Sequence, residues 1–405
     1  MIDDPRLNAR VAAAAPSATY RMMERAFARK AAGLPVISLT AGEPDFDTPA
    51  HVCDAAISAI RAGHTRYTPV AGLRALREAV AEKYKRENNL DVSWQDTIVS
   101  SGGKQVIFNA LAATLNDGDE VIVPSPYWVS YPEMVQICGG SSRIVPCGAD
   151  TRFKLTPSAL EAAITPRTRW LILNSPSNPT GAVYRKEELV ALTQVLLAHS
   201  EVMVLSDDIY EHLIFDGASF HTIAQLEPRL RDRTLTMNGV SKAYAMTGWR
   251  IGFGTGPRWL LEAMDKLQGQ QTSGPCSVSQ HAAIAALNGP KDFIQQSRIQ
   301  FESRRNMVVK LLNQAPGLRC DMPGGAFYAF ASCEGLIGKV SRGGIALISD
   351  EDVATALLEE ASVGVVHGSA FGLGPYLRFA YALDNESLRR ACTAVQDFCA
   401  STTNQ

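Results

Sequence analysis

Short apolar segments alternate with helical segments from Asp96 onward, and this alternation limits the fold more than any other feature of the chain. Each apolar segment is followed by a polar loop and then by a stretch in which apolar residues recur at helical spacing. Short, nearly continuous apolar strands are typical of a mostly parallel sheet with helices on both faces. The pattern predicts an α/β fold with strands at Thr97–Ser100, Glu120–Val123, Arg169–Leu173, Val202–Leu205 and Thr234–Met237.

Polar and aromatic residues follow each of these predicted strands. In open α/β sheets, ligands bind beyond the carboxyl ends of the strands. Clusters at successive strand ends therefore predict one shared binding site at that edge of the sheet. The clusters are Ser101-Gly102-Gly103, Pro124 to Trp128, Asn174 to Gly181, Ser206 to Tyr210, and Ser241-Lys242.

Lys242 follows the last of these strands directly, within the stretch Asn238 to Phe253. Placing a strongly hydrated amine at the end of a buried strand costs free energy, so a lysine in that position is expected to have a function. One use is a Schiff base to an aldehyde, for which neighbouring groups lower the pKa of the amine. Ser241 and Arg250 suit phosphate oxygens. An aldehyde with a phosphate is pyridoxal 5′-phosphate, so the stretch predicts that cofactor; a surface lysine beside an ion-paired arginine is the alternative.

Other residues at the strand ends suit the same cofactor. Asp207 can pair with a ring nitrogen, or it can cap a helix. Tyr210 and Asn178 can both bond a phenolic oxygen. Trp128 can stack on a ring or pack in the core. Arg378 lies in an otherwise apolar predicted strand and needs an anion if it is buried, such as a substrate carboxylate.

The composition favours a small-molecule partner. The chain has 39 basic and 41 acidic side chains and a net charge of −2, which favours neither nucleic acid nor an anionic membrane. Its eight cysteines show no metal-ligand spacing, and we expect them to be buried thiols. No metal site is predicted. The acidic start of the chain is unlike a secretory signal, so we expect a cytoplasmic protein.

A length of 405 residues predicts two domains. Residues 1–48 are expected to form an arm and part of a small domain, residues 49–289 a large domain that binds the cofactor, and residues 290–405 the rest of the small domain. In the last part, the pattern predicts a helix at Phe293–Leu312 and strands at Ala326–Phe330, Val363–Val366 and Tyr376–Tyr381.

Several motifs together carry a family resemblance. They are Asn178-Pro179-Thr180-Gly181, Ser206 to Tyr210, Ser241-Lys242 with Arg250, Thr40 to Asp45, and Gly102-Gly103-Lys104. In order and spacing the chain resembles the class I and II aminotransferases of fold type I, and is most similar to their bacterial aspartate aminotransferase branch.

The resemblance implies a role for each matching residue. Lys242 would be the Schiff-base lysine and proton shuttle, with Asp207 at the ring nitrogen, Tyr210 and Asn178 at the ring oxygen, and Trp128 on the ring face. Around the phosphate it implies Gly103, Lys104, Ser241 and Arg250, joined by Tyr67 from the second subunit of a homodimer. For the substrate it implies Arg378 and Gly42 at the α-carboxylate, with Lys104, Trp128 and Asn178 in the same site.

The resemblance also suggests the substrates. Relatives in the aspartate branch use the lysine after Gly-Gly to bind the distal carboxylate, and Lys104 has that place. Aspartate with 2-oxoglutarate is therefore expected. Relatives that accept prephenate tend to have a basic residue where this chain has Ala15. An aromatic or broad-specificity aminotransferase and a β-lyase of the same fold are the alternatives.

Overall fold

A computed structural model describes residues 6–404 of the protein. In chain order, its strands are β1 (Ile37–Ser38), β2 (Thr97–Ser100), β3 (Glu120–Ser125), β4 (Ser141–Pro146), β5 (Thr168–Asn174), β6 (Met203–Asp207), β7 (Thr234–Gly239), β8 (Gly252–Thr255), β9 (Arg319–Cys320), β10 (Tyr328–Ser332), β11 (Lys339–Val340), β12 (Ala346–Leu347), β13 (Val363–Gly364), β14 (Val366–His367), β15 (Tyr376–Ala380) and β16 (Thr403–Asn404).

The helices, in the same order, are α1 (Ala9–Ala13), α2 (Ala18–Ala31), α3 (Ala50–Arg61), α4 (Arg74–Asn88), α5 (Gly103–Thr114), α6 (Ser130–Ile137), α7 (Pro157–Ala163), α8 (Lys186–Ala198), α9 (Ile223–Leu226), α10 (Arg258–Gln271), α11 (Ser277–Asn288), α12 (Asp292–Leu312), α13 (Asp350–Glu360) and α14 (Asn385–Ser401). Within residues 6–404, no helix is long and apolar enough to cross a membrane.

The largest sheet has seven strands in the order β2-β8-β7-β6-β5-β3-β4. Only β8 runs antiparallel to its neighbours in this sheet, and the other pairs are parallel. Successive residues of β5 enter different cores: Trp170 and Ile172 pack with α5, α6 and α10, whereas Leu171 and Leu173 pack with α7 and α8. Both faces are therefore covered, which confirms the predicted α/β fold.

A second, antiparallel sheet has the order β14-β15-β10-β9 and packs against α12, α13 and α14. The N-terminal segment joins it, because β1 pairs in parallel with β13 and α2 contributes Met22 and Ala26 to the same core. The boundaries at residues 48 and 289 stay a prediction.

The structure differs from the sequence pattern in a few elements. The pattern does not predict β4, an edge strand with mostly exposed residues, or β8, half of which is glycine. The strand expected at Val363–Val366 is two short strands, β13 and β14. The strand expected from Ala326 begins only at Tyr328, because Ala326 has a left-handed backbone with φ of 58°.

A buried ion pair joins α4 to the segment that follows β6. The Lys83 side chain is 1% exposed, and its Nζ contacts Oε1 of Glu211, which is 3% exposed. Asn88 completes the network, since its Oδ1 accepts from Lys83 Nζ at 2.7 Å and its Nδ2 donates to Glu211 Oε2 at 2.7 Å. Each buried charge is stable only because its partner is present.

We expect Lys83→Met to lower the free energy of unfolding of the apoprotein by about 3–5 kcal/mol, because the buried Glu211 carboxylate would lose its nearest cation. Lys85→Met on the same helix is the matched control, since Lys85 is 61% exposed. Thermal unfolding midpoints of the two variants and the wild type measure the effect. Equal midpoints for both variants would show that the buried pair contributes nothing.

Candidate active site

All of the predicted site residues except Tyr67 line one cavity of about 270 Å³. The cavity lies at the carboxyl ends of the parallel strands, where the sequence predicts it. Tyr67 is 96% exposed and does not line the cavity of its own chain. The residues brought together are Gly42, Gly103, Lys104, Trp128, Asn178, Asp207, Tyr210, Ser241, Lys242, Arg250 and Arg378.

Lys242 lies three residues beyond β7 and is half-buried in this cavity. Its Nζ donates a hydrogen bond to the carbonyl oxygen of Gly42 at 2.6 Å. Burial is the main cause that lowers the pKa of Lys242 to about 8; the positive charges of Arg250 and Arg378 contribute to this shift, and the negative charges of Glu43 and Asp207 oppose it. The amine is therefore more readily neutral than that of a surface lysine, which suits a nucleophile or a proton acceptor.

Asp207 is the last residue of β6 and is 3% exposed. Its Oδ2 accepts a hydrogen bond from the hydroxyl of Tyr131 at 2.5 Å, and its Oδ1 accepts from the backbone N–H of Ile209 at 3.3 Å. Burial raises the pKa of Asp207 to about 6, although these bonds and the charge of Lys242 favour the ionised form. A cation opposite this carboxylate would stabilise it further.

Arg378, on β15, is a buried cation in the wall of the cavity, with 1% exposure. Its guanidinium donates to Asn178 Oδ1 at 2.8 Å and to the carbonyl of Thr40 at 2.6 Å. It lies between the rings of Tyr328 and Phe371, 4.6 and 4.9 Å from their centroids. Its Nε is buried and has no hydrogen-bond partner within residues 6–404.

Tyr210 and Tyr328 form a second polar contact in the cavity. Their hydroxyl oxygens lie 2.7 Å apart, and both side chains are buried. Burial raises the pKa of both hydroxyls, and that of Tyr210 lies well above 10. Tyr210 therefore stays protonated near neutral pH and can donate a hydrogen bond to an oxygen bound in the cavity.

The first residues of α5, Gly103 and Lys104, line the cavity and form a cradle at its edge. The preceding Gly102 has a φ of 91°, which is left-handed and favours glycine. A Cβ at Gly102 would lie 2.2 Å from Nη2 of Arg250, and one at Gly103 would lie 2.8 Å from the sulfur of Met237. The first N–H groups of a helix have no intrahelical partner, so this cradle with Arg250 beside it suits a phosphate.

Lys104 and Trp128 lie next to this cradle. The Nζ of Lys104 is 4.8 Å from the ring centroid of Trp128, a cation–π distance. Burial lowers the pKa of Lys104, and the charge of Arg250 adds to that effect. Trp128 is only half-buried and exposes its ring to the cavity, so it is not an ordinary core residue.

Some residues of the cavity are absent from the sequence prediction. Tyr131 and Tyr328 bond to predicted residues, but their partners lie 76 and 118 positions away in the chain. Tyr131 follows Trp128 by three positions on a helical turn, and this spacing is the one signal that points to it. The other unpredicted lining residues are Ser17, Thr19 and Tyr20 at the start of α2, with Ile107, Val129, Ser130, Asn174, Ile209 and Met237.

Comparison with known proteins identifies the class of protein that this fold and cavity define. Residues 35–395 match the family described as aminotransferase class I and II. The chain belongs to this family, and the transaminase class predicted from its sequence is confirmed.

Individual relatives are similar along almost the whole chain. A probable aspartate/prephenate aminotransferase from Rhizobium leguminosarum is 57% identical over 386 residues, covering 95% of this chain and 96% of that protein. The aspartate/prephenate aminotransferase of Cereibacter sphaeroides is 55% identical, covering 95% and 96%. The crystal structure of the aspartate aminotransferase of Rhizobium meliloti superposes with a TM-score of 0.96 at 49% identity, covering 98% and 100%. This superposition confirms fold type I.

Asp208 is a buried carboxyl beside the cavity, and it should make stability depend on pH. It is 2% exposed; Ser206 donates to its Oδ1 at 2.6 Å, and its Oδ2 lacks a partner in the described part of the chain. Burial raises the pKa of Asp208 to about 7, from an ordinary value of 3.8. The folded state therefore holds a proton that the unfolded state releases near pH 4, and stability falls as pH rises from about 4 to 7.

We expect Asp208→Asn to remove this cost, because the amide stays neutral. The apoprotein variant should be more stable than the wild type at pH 8 by roughly 2–4 kcal/mol, with the difference vanishing near pH 4. Thermal unfolding midpoints across this range measure it, with Asp232→Asn, at an exposed site, as the control. A difference that does not change with pH would contradict the assignment.

Proposed function

We propose that this aminotransferase uses pyridoxal 5′-phosphate to move the α-amino group of aspartate to 2-oxoglutarate. The observation that carries the proposal is the convergence of the Lys242 amine, the Asp207 carboxylate and the Arg378 guanidinium in one cavity. These groups suit three features of the chemistry: an aldehyde, a ring nitrogen and a substrate carboxylate.

The residues present fit the cofactor. The N–H groups at Gly103 and Lys104, with Ser241 and Arg250, would hold the phosphate, and Gly102 supports this fit because the absence of a Cβ there lets the Arg250 guanidinium approach the start of α5. Asp207 would hold the ring nitrogen. The hydroxyl of Tyr210 and the amide of Asn178 would bond the ring oxygen, and Trp128 would cover one ring face.

When bound, the cofactor supplies an aldehyde for the substrate amine and a ring that accepts the electron pair of the Cα–H bond. Lys242 Nζ would take the proton from the substrate Cα and would pass it to C4′ of the cofactor. Its lowered pKa leaves a useful neutral fraction near pH 8. Asp207, kept ionised, would hold the ring nitrogen in its cationic form.

Two cations in the cavity suit a dicarboxylic substrate. Arg378 would bind the α-carboxylate through its fork, together with the backbone at Gly42. Lys104, beside the ring of Trp128, would bind the distal carboxylate. The names of the relatives support aspartate as donor, and they also favour prephenate as a second oxo-acid acceptor, although Ala15 lacks the basic side chain associated with that substrate.

The assembly and location are part of the proposal. We infer a cytoplasmic homodimer in which Tyr67, exposed in a single chain, reaches the phosphate in the neighbouring subunit. The division into a large domain of residues 49–289 and a small domain completed by residues 1–48 and 290–405 is supported by the separate cores of the two main sheets.

Lys242→Ala should still bind pyridoxal 5′-phosphate but should lose turnover of aspartate by at least about 10³-fold, because no group replaces the amine as a proton carrier. Borohydride treatment followed by peptide mass spectrometry adds a direct measurement: the cofactor should be fixed covalently to Lys242 of the wild type and released from the variant.

Lys310→Ala is the control, since Lys310 is exposed on α12 and does not line the cavity. It should keep wild-type turnover and covalent labelling. Labelling of the Lys242→Ala protein at another lysine, with activity retained, would refute the assignment of Lys242.

Lys104→Met tests the substrate class. It should lower kcat/KM for aspartate by about 10–100-fold, because one charge-assisted hydrogen bond to the distal carboxylate is lost. The change in kcat/KM for phenylalanine, which has no distal carboxylate, should be much smaller. Assays with 2-oxoglutarate and with prephenate, each a dicarboxylic acceptor, give the matching comparison. Equal losses for aspartate and phenylalanine would instead favour the aromatic or broad-specificity alternative.

A further inference from the structure

One helical turn joins the aromatic wall of the cavity to the Asp207 carboxylate. Trp128 lines the cavity at the entrance to α6, and Tyr131 follows it by three positions. The two rings are in edge-to-face contact, with centroids 5.3 Å apart and an interplanar angle of 87°. Tyr131 is 2% exposed, and its hydroxyl donates to Asp207 Oδ2 at 2.5 Å.

We propose that Tyr131 is a positioning residue: its hydroxyl orients the Asp207 carboxylate and favours its ionised form, so that the carboxylate can hold a cationic ring nitrogen. The proposal rests on the proposed use of pyridoxal 5′-phosphate, and it adds a residue that acts through Asp207. The ring of Tyr131 also supports Trp128. One side chain would therefore position both the residue that covers the cofactor ring and the carboxylate that holds the ring nitrogen.

The electrostatic surroundings of Asp207 explain why a donor is needed. The titratable groups that face it are Tyr131 on α6, Tyr210 on the segment after β6, and Lys242 after β7. Burial opposes ionisation of the carboxyl, and Tyr131 and Lys242 favour it. Lys242 would gain and lose a proton during turnover, so the effect of its charge on the ionisation of Asp207 changes from step to step. Two donors are constant: the backbone N–H of Ile209, at 3.3 Å from Oδ1, and the hydroxyl of Tyr131, which makes the shorter bond and is the one supplied by a side chain.

Tyr131 is suited to that constant role. Burial and the neighbouring carboxylate raise the pKa of its hydroxyl well above 10, so the O–H stays protonated throughout the working range of an enzyme. A hydrogen bond from a neutral donor to a buried carboxylate favours the ionised state without adding a charge that would compete with the ring nitrogen.

The test is Tyr131→Phe, which removes only the hydroxyl and keeps the ring contact with Trp128. Tyr127→Phe is the matched control: Tyr127 lies in the same segment, its ring lies beside Gly372, and it does not bond to Asp207. The readouts are the dissociation constant of pyridoxal 5′-phosphate, the pH profile of kcat/KM for aspartate, and the thermal midpoint of the apoprotein.

For Tyr131→Phe we expect about tenfold weaker cofactor binding at neutral pH and an acidic limb of the profile shifted upward by about one pH unit, since one pKa unit corresponds to one tenfold change. The sign follows from the loss of a donor, which raises the pKa of Asp207. Tyr127→Phe should match the wild type in both readouts. An unshifted acidic limb in Tyr131→Phe would overturn the proposal.

A double-mutant cycle separates an effect through Asp207 from a general loss of structure. In an Asp207→Asn background, Tyr131→Phe should change cofactor affinity by less than about twofold. A full tenfold loss in that background would show that Tyr131 acts on packing alone and would overturn the positioning role. Failure of the proposed function itself has a different signature, because the wild type would then not bind pyridoxal 5′-phosphate at all.

Discussion

The parallel pairing of β5, β6 and β7 is the constraint on which the site depends. Their backbone hydrogen bonds set Asn174 opposite Asp207 and Asp207 opposite Met237. In this register the chain leaves all three strands at the same edge, so the loops with Asn178, Asp207 and Lys242 open into one space. Residues that are far apart in sequence become neighbours because the strands are parallel and buried on both faces.

The site concentrates ionisable groups in a partly buried cavity, and each of them changes the pKa of the others. Burial disfavours the charged forms of Lys242 and Asp207, and their pKa values move toward each other, to about 8 and about 6. The charge of the buried Arg378 guanidinium is stabilised by two hydrogen bonds and by two aromatic rings. Perturbed ionisable groups clustered in one cavity are typical of a functional site.

Much of this arrangement could be predicted from the sequence. The five predicted strands of the large sheet all exist, because short apolar segments between polar loops carry a strong local signal. The predicted residues Asp207, Lys242 and Arg378 meet in the cavity, because each is a polar residue at the end of, or inside, an apolar strand. The pattern misses β8, where Gly252 and Gly254 remove the usual strand signal and packing decides the structure.

The sequence by itself determined the α/β class, the edge of the sheet at which the site lies and the family to which the chain belongs, because these depend on local periodicity and on motifs in order. Only the tertiary structure decided which groups surround each functional side chain. The hydrogen bond from Tyr131 to Asp207 and the contact of Tyr210 with Tyr328 arise from segments that are distant in the chain and packed together in the fold. Such contacts depend on three-dimensional distances, and no periodicity in the sequence encodes them.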